Sequence, residues 1–115
     1  MVWIKKKKLK IQKKTENLFY EIYPALKNYN NAEKYSLCNE IKNAYLNLLK
    51  YMALANKVRS KRKEYLEEAD GYLQHCKTLN DLSFEIKQIN KGFYKDIDRK
   101  LSEIGRMLGA WIRKS

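Results

Sequence analysis

The chain has 115 residues, with 25 Lys or Arg against 13 Asp or Glu, and its formal net charge is +12. This length is enough for one domain that buries a core without disulfides or a structural metal, and one proline with four glycines favours long helices over a turn-rich β-fold. The composition therefore predicts an all-α protein. No apolar run approaches the roughly 20 residues that a membrane-spanning helix needs, so we expect a cytoplasmic protein.

The chain is expected to begin with a basic extension at residues 1–11, before a four-helix domain at residues 12–115. The first helix is predicted to run from the start of this domain to about Tyr29, because apolar residues recur there at helical spacing. Pro24 interrupts the pattern, since proline lacks a backbone donor and clashes with the preceding turn. We therefore expect a first helix kinked near Pro24, within residues 19–23, or a short second piece that begins there.

A second helix is expected to start after Asn30. With Glu33 three residues later, this asparagine matches a capping box in which it replaces serine or threonine. The helix is expected to end near Lys57, and its apolar face consists of Leu37, Ile41, Ala44, Leu48, Met52 and Ala55. Further apolar residues widen this face, which indicates two helix partners.

Ser60 is expected to cap a third helix that runs to about Leu82, and "SFEIKQIN" is expected to connect it to a fourth helix capped by Asn90. The third helix carries an apolar seam at Leu66, Ala69, Leu73 and Cys76. The fourth carries the most regular heptad pattern, at Ile97, Leu101, Ile104, Leu108 and Trp111. Four such helices with short connections predict an up-down-up-down antiparallel four-helix bundle.

The sequence offers few groups for catalysis. His75 is the only histidine, and no second one completes a common zinc or di-iron site. Three glutamates within residues 64–68 lie at the start of the third helix, where they complement its dipole. Cys38 and Cys76 lie in apolar helical patterns without CxxC spacing, which indicates reduced core thiols. We expect no catalytic residue, no metal and no cofactor.

The excess positive charge lies in two acid-free segments. Residues 1–14 contain seven lysines and "KVRSKRK" at residues 57–63 contains five basic residues, which together account for the net charge. This concentration favours contacts with nucleic-acid phosphates. The candidate binding residues are Lys5, Lys6, Lys7, Lys8, Lys10, Lys13, Lys14, Lys57, Arg59, Lys61, Arg62 and Lys63. The alternatives are a solvated tail, or an N-terminus on an anionic membrane surface with Trp3 and Ile4 inserted.

Two glycines lie four residues apart in the closing stretch of the fourth helix, where each costs about 1 kcal/mol relative to alanine. Gly105 and Gly109 each follow a seam residue, so they form a smooth strip beside the core seam. The strip could accommodate helix packing within one subunit or contact with a neighbouring subunit, and both interpretations stay open. The candidate interface residues are Gly105, Arg106, Gly109 and Trp111.

Three segments resemble one known family: "KIQKKTENLFYEIYPALKN", "AEKYSLCNEIKNAYLNLL" and "KLSEIGRMLGAWIRKS". They are similar to the accessory variability determinant (Avd) proteins of diversity-generating retroelements. The closing "EIGRMLGAWI" is the most specific part, because the family's chains commonly end in such a glycine-containing helix with a tryptophan. The likeness covers roughly residues 10–115.

The resemblance implies a basic four-helix bundle that forms a homopentamer, binds nucleic acid and associates with the reverse transcriptase of the retroelement. The complex copies template RNA into mutated cDNA, and the accessory protein supplies no catalytic residue. We expect no membrane partner, because the N-terminus offers only a few apolar residues for anchoring. Two other interpretations stay open. One is a four-helix protein of the type encoded in intervening sequences of 23S ribosomal RNA genes, and the other is a structural oligomeric scaffold for an acidic protein partner.

Overall fold

The computed structural model describes residues 8–115, which form four α-helices and three short 3-10 turns without a strand. The helices are α1 (Lys10–Ala25), α2 (Leu37–Lys57), α3 (Arg62–Glu85) and α4 (Lys91–Arg113). The turns are Leu26–Asn28, Asn31–Glu33 and Arg59–Lys61. The predicted all-α class is therefore confirmed, whereas Lys5, Lys6, Lys7, Trp3 and Ile4 lie outside the described residues.

Contacts between side chains show that consecutive helices run antiparallel. The start of α1 meets the end of α2, where Asn56 Nδ2 donates to Gln12 Oε1 over 3.0 Å. Further along the same pair, the rings of Phe19 and Tyr45 stack with centroids 5.6 Å apart. The later-numbered residue of α1 thus meets the earlier-numbered residue of α2.

The bundle closes by packing α4 against α1. Lys14 forms an ion pair with Glu103 at 2.6 Å, and Glu21 forms one with Lys100 at the same distance. Residue numbers again rise on one helix as they fall on the other, so α4 is antiparallel to α1. This arrangement is the predicted up-down-up-down four-helix bundle.

The core consists of the apolar seams that helical spacing predicts. All members of the predicted α2 and α3 seams are buried, as are the first four of α4, with Leu48, Leu66, Leu101 and Leu108 fully enclosed. Full burial of one such side chain stabilises the fold by about 1.5–3 kcal/mol. Trp111, the last residue of the predicted α4 seam, is only partly buried and packs at the core's margin.

The first helix begins at Lys10, two residues before its expected start, and ends at Ala25 instead of near Tyr29. Ile11 is buried in the core, which explains the earlier start. Pro24 lies in the last turn of α1, and two residues later, at Leu26, the chain continues as a 3-10 turn. Of the two outcomes expected at Pro24, this resembles the short second piece, but the piece begins at Leu26 and not within residues 19–23.

The predicted capping of α2 by Asn30 is wrong. Asn30 precedes the 3-10 turn at residues 31–33, and its side chain makes no cap hydrogen bond. α2 starts only at Leu37, too far along the chain for a side chain at residue 30 to reach the free amides of its first turn. Instead, the backbone N–H of Asn30 donates to Gln88 Oε1 over 2.7 Å and ties the α1–α2 connection to the α3–α4 connection.

The start and end of α3 also differ from expectation. Ser60 does not cap it, because Ser60 lies inside the 3-10 turn and α3 begins at Arg62. The helix continues through Ser83 to Glu85, so the first part of the predicted connector is helical. Ser83 is buried, and its hydroxyl donates to the carbonyl of Leu79 over 2.8 Å, which satisfies it inside the helix.

The connection between α3 and α4 is closed by hydrogen bonds at both ends. Lys87 has φ 61°, in the left-handed region, and its N–H donates to Phe84 O over 3.0 Å while that of Gln88 donates to Ser83 O over 2.8 Å. This pair of bonds is a Schellman motif. On the other side, Asn90 Oδ1 accepts a hydrogen bond from Phe93 N over 2.8 Å, so the predicted cap of α4 is confirmed.

Candidate nucleic-acid interface

The bundle topology brings the two basic segments to the same end. α1 begins where α2 ends, and the Asn56–Gln12 hydrogen bond joins these two helix termini. We define the basic end as the described candidates at this end of the bundle: Lys8, Lys10, Lys13, Lys14, Lys57, Arg59, Lys61, Arg62 and Lys63. Segments more than 40 residues apart in sequence therefore lie at the same end of the bundle.

Two lysines of the first segment are paired with carboxylates. Lys8 lies 2.6 Å from Glu16, and Lys14 lies 2.6 Å from Glu103. The hydrogen bond to Glu16 raises the pKa of Lys8, and the Lys14 ammonium lowers the pKa of Glu103. Both pairs are solvent-accessible, so they contribute little to stability but reduce the local positive charge.

The second segment carries cations that form no ion pair with a described carboxylate, although Glu64 directly follows Lys63. Lys57, Arg59, Lys61 and Lys63 are exposed, and none forms an ion pair with a carboxylate among residues 8–115. They lie on the last residue of α2, the 3-10 turn and the first turn of α3. These four cations are therefore available to a polyanion without the loss of an ion pair.

Arg62 differs from its neighbours because its guanidinium binds the main chain. Nε donates to the carbonyl of Ala55 over 2.7 Å, and Nη2 donates to that of Asn56 over 3.3 Å. These are carbonyls of the last turn of α2, which lack partners within the helix. Arg62 therefore holds the turn between α2 and α3, and the exposed cations around it remain to meet a ligand.

Three acidic residues near the start of α3 lie beside its tyrosines. Glu64, Glu67 and Glu68 are exposed beside Tyr65 and Tyr72. Glu64 is in the first turn of α3, as predicted for complementing the helix dipole. His75, one turn beyond Tyr72, is exposed, and its Nε2 lies 3.6 Å from Glu40 Oε1. Within residues 8–115, no group of three or more His, Cys, Asp or Glu side chains is placed to hold a metal.

The two glycines in the C-terminal half of α4 have different surroundings. A Cβ added to Gly105 would lie 3.5 Å from Leu73 Cδ2, so Gly105 faces α3 within the bundle. A Cβ at Gly109 would meet only Arg113 of its own helix, at 3.5 Å from Nη1. Arg106 is exposed on the same helix. The distance at Gly105 is an ordinary van der Waals contact, so packing against α3 does not require a glycine there, and both glycines stay candidates for contact with another subunit.

Both cysteines are buried and free, as the apolar patterns around them predict. Burial raises the pKa of the Cys76 thiol to about 12 and also raises the pKa of Cys38. Both thiols are therefore neutral at physiological pH. Neutral, enclosed thiols behave as small apolar core residues.

A second basic surface was not predicted from the sequence. It is a groove of about 450 Å³ at the opposite end of the bundle, where α1 ends and α2 begins. We call it the tyrosine–lysine groove, and the side chains that give it its character are Tyr23, Lys27, Lys34, Tyr35 and Lys42. Its lysines are spread over 16 residues among polar and apolar ones, so no charge run marks them in the sequence.

Residues 8–115 thus define a class of protein: an all-α antiparallel four-helix bundle with two basic sequence segments joined at one end and a second basic groove at the other. The chain belongs to the bAvd-like family, whose sequence model matches residues 9–115. This match confirms the resemblance to accessory variability determinant proteins and makes the chain a member of a family of accessory proteins. A comparison with curated proteins finds none that matches. No described helix is both long and apolar enough to cross a bilayer.

Proposed function

We propose that this protein is a noncatalytic, nucleic-acid-binding accessory subunit of a diversity-generating retroelement. In this proposal it acts in the cytoplasm as a homo-oligomer, a pentamer by family resemblance. It docks the reverse transcriptase and holds template RNA, or the cDNA copied from it, near the polymerase. Family membership supports the accessory role, and the joining of two basic segments at one end of the bundle carries the nucleic-acid part of the proposal.

The basic end suits contact with phosphates rather than recognition of base sequence. Lys57, Lys61 and Lys63 are exposed and have no carboxylate partner among the described residues, so a phosphate backbone gains their charge without breaking an ion pair. Phosphate contacts of this kind fix the position of a strand but carry no sequence information. Sequence choice in the complex then comes from the template and the polymerase.

The salt dependence of RNA binding tests this proposal. The affinity of the full chain for a labelled template RNA is measured by fluorescence anisotropy. The logarithm of the binding constant is expected to fall linearly with the logarithm of the salt concentration. The triple variant Lys57→Gln, Lys61→Gln, Lys63→Gln is expected to make the slope shallower by about 2, at about 0.7 per phosphate contact on a single strand. Arg62 is left intact because it holds the α2–α3 turn.

A matched control removes the same charge from the opposite end of the bundle. The variant Lys87→Gln, Lys91→Gln, Lys95→Gln changes three exposed lysines and is expected to keep most of the slope. An RNA affinity that does not change with salt contradicts the proposal. An equal loss of salt dependence in both triple variants contradicts a localised interface. Recovery of the reverse transcriptase with the tagged chain after nuclease digestion, without any protected RNA, supports a protein scaffold instead.

A further inference from the structure

The tyrosine–lysine groove contains two of the most exposed aromatic rings in the described residues. Of the nine tyrosines, only Tyr20, Tyr23 and Tyr35 are largely exposed, and the last two line the groove. Tyr35 is 90% exposed, so both faces of its ring are open to solvent. An aromatic ring left in water forgoes the stabilisation that burial gives, and it offers a flat apolar face to a ligand.

The Tyr23 ring is held in place at the other side of the groove. Phe19 meets it edge-on, with centroids 5.7 Å apart and an interplanar angle of 86°. Lys42 Nζ lies 5.1 Å from the ring centroid, in the range of a cation–π contact. The groove therefore places a fixed aromatic ring and a cation side by side.

The charge of the groove is positive and largely uncompensated. Lys34 donates to the carbonyls of Leu26 and Lys27, so its ammonium is fixed beside the 3-10 turn that follows α1. Lys27 is exposed, and the lining residues include no carboxylate. Glu33 lies close by and accepts a hydrogen bond from Ser36 over 3.4 Å. Three lysines against one neighbouring carboxylate leave a net attraction for anions.

The groove between α1 and α4 gives a useful contrast. It has a volume of about 330 Å³, and its cations are matched by acids, through the Lys14–Glu103 and Lys100–Glu21 ion pairs. It also has no aromatic residue in its lining. The tyrosine–lysine groove combines exposed aromatic rings with lysines that have no carboxylate in the lining. The groove between α1 and α4 does not.

We propose that the tyrosine–lysine groove binds single-stranded nucleic acid, with bases stacked on Tyr35 and Tyr23 and phosphates held by Lys27, Lys34 and Lys42. The proposal rests on the nucleic-acid-binding function proposed above and adds a second contact region to it. α2 has 21 residues and rises about 1.5 Å per residue, so the groove lies roughly 30 Å from the basic end. One strand can contact both regions along the length of the bundle.

The combination of rings and cations favours a nucleic-acid strand over an acidic peptide. Every base has a π-face, and stacking on an aromatic ring tolerates any sequence. Carboxylates of a peptide would engage the lysines but would have no need of an exposed Tyr35 ring. A duplex hides its base faces, so the groove is expected to prefer single strands.

Substitution of Tyr35 tests the stacking contact without disturbing the core. The probe is a fluorescein-labelled 12-nucleotide oligoadenylate, compared with a duplex of the same length by anisotropy with the full chain. Tyr35→Ala is expected to weaken single-strand binding about fivefold or more, and duplex binding much less. Tyr35→Phe keeps the ring and is expected to retain the affinity. Equal affinities for all three proteins overturn the proposal.

Substitution of the groove lysines separates this inference from the proposed function. Lys27→Gln with Lys42→Gln is expected to make the salt slope for the oligoadenylate shallower by about 1.4, whereas Lys91→Gln with Lys95→Gln keeps it. If the groove variant keeps the slope while the basic-end variant loses it, the groove proposal fails and the proposed function stands. Polyglutamate can also be added as a competitor. If it competes equally well with Tyr35→Ala and with the unaltered chain, and Tyr35→Ala binds oligoadenylate with unchanged affinity, the groove is a general anion surface. That result also overturns the proposal.

Discussion

The guanidinium of Arg62 binds the carbonyl oxygen of Ala55, with Nε 2.7 Å from the oxygen, and so ties the first residue of α3 to the last turn of α2. A second bond reaches Asn56 O. The fork of the guanidinium lets one side chain serve two carbonyls that the helix itself leaves without partners. The turn that carries the exposed cations of the basic end is therefore shaped by a cation that faces inward.

Removing this link is expected to destabilise the protein. Arg62→Ala should lower the free energy of unfolding by about 1–3 kcal/mol, because hydrogen bonds from a charged donor are lost and two partly buried carbonyls lose their partner. Urea denaturation followed by circular dichroism measures the change. The adjacent exposed residue supplies the control, since Lys63→Ala should shift stability by less than about 0.5 kcal/mol. Equal effects of the two variants would contradict a structural role for Arg62.

Lys87 stops α3 in a conformation that suits glycine. Its φ of 61° costs a residue with a Cβ about 1–2 kcal/mol, whereas glycine adopts it freely. Lys87→Gly is expected to stabilise the fold by about 0.5–1 kcal/mol. The substitution relieves the backbone strain, but part of that gain is offset because glycine has more conformational freedom in the unfolded chain. Thermal unfolding measures it. Lys95→Gly, in the interior of α4, should destabilise by about 1 kcal/mol, and a loss of stability in both variants would argue against the Schellman motif.

The sequence predicts the core of this bundle better than its helix ends. The seam from Ile97 to Leu108 is buried as predicted, because burial imposes helical spacing on apolar residues over many turns. A cap depends on a single residue and its local backbone. Asn90 caps a helix and Asn30 does not, although both resemble caps in the sequence. No glycine marks the left-handed residue after α3, so Lys87 gives no sequence signal.

The candidate interface is predictable only in part. The basic segments are visible as charge runs, and the up-down topology brings them together once four helices are assumed. The role of Arg62 depends on side-chain direction, which a run of like charges does not reveal. The tyrosine–lysine groove depends on Tyr23 and Tyr35 meeting across a connection that contains two 3-10 turns, and helical spacing does not describe such a path.

The different surroundings of Gly105 and Gly109 predict different effects of a large side chain. Gly105→Leu should overpack the α3–α4 contact near Leu73 and destabilise the subunit by about 1–3 kcal/mol. The leucine side chain of Gly109→Leu would point away from the other helices, so this variant should leave the subunit folded. If Gly109 contacts a neighbouring subunit, this variant should lower the mass measured by sedimentation. Unchanged folding and unchanged mass for Gly109→Leu would exclude that contact.

The raised pKa of Cys76 predicts loss of stability at alkaline pH. Burial raises this pKa to about 12, and an unfolded thiol ionises at about 8.5. Above the lower value the unfolded chain has lost a proton that the folded chain keeps, so the free energy of unfolding falls as pH rises from about 8.5 towards 12. Burial also raises the pKa of Tyr45 and Tyr29, which adds to this fall at higher pH.

Urea denaturation between pH 7 and pH 10 measures the fall in the free energy of unfolding, with Cys76→Ala as the comparison. That variant should be less stable at pH 7 because of the cavity it leaves, and its stability should decline less steeply above pH 8.5. Parallel declines in the two proteins would show that ionisation of Cys76 does not oppose folding.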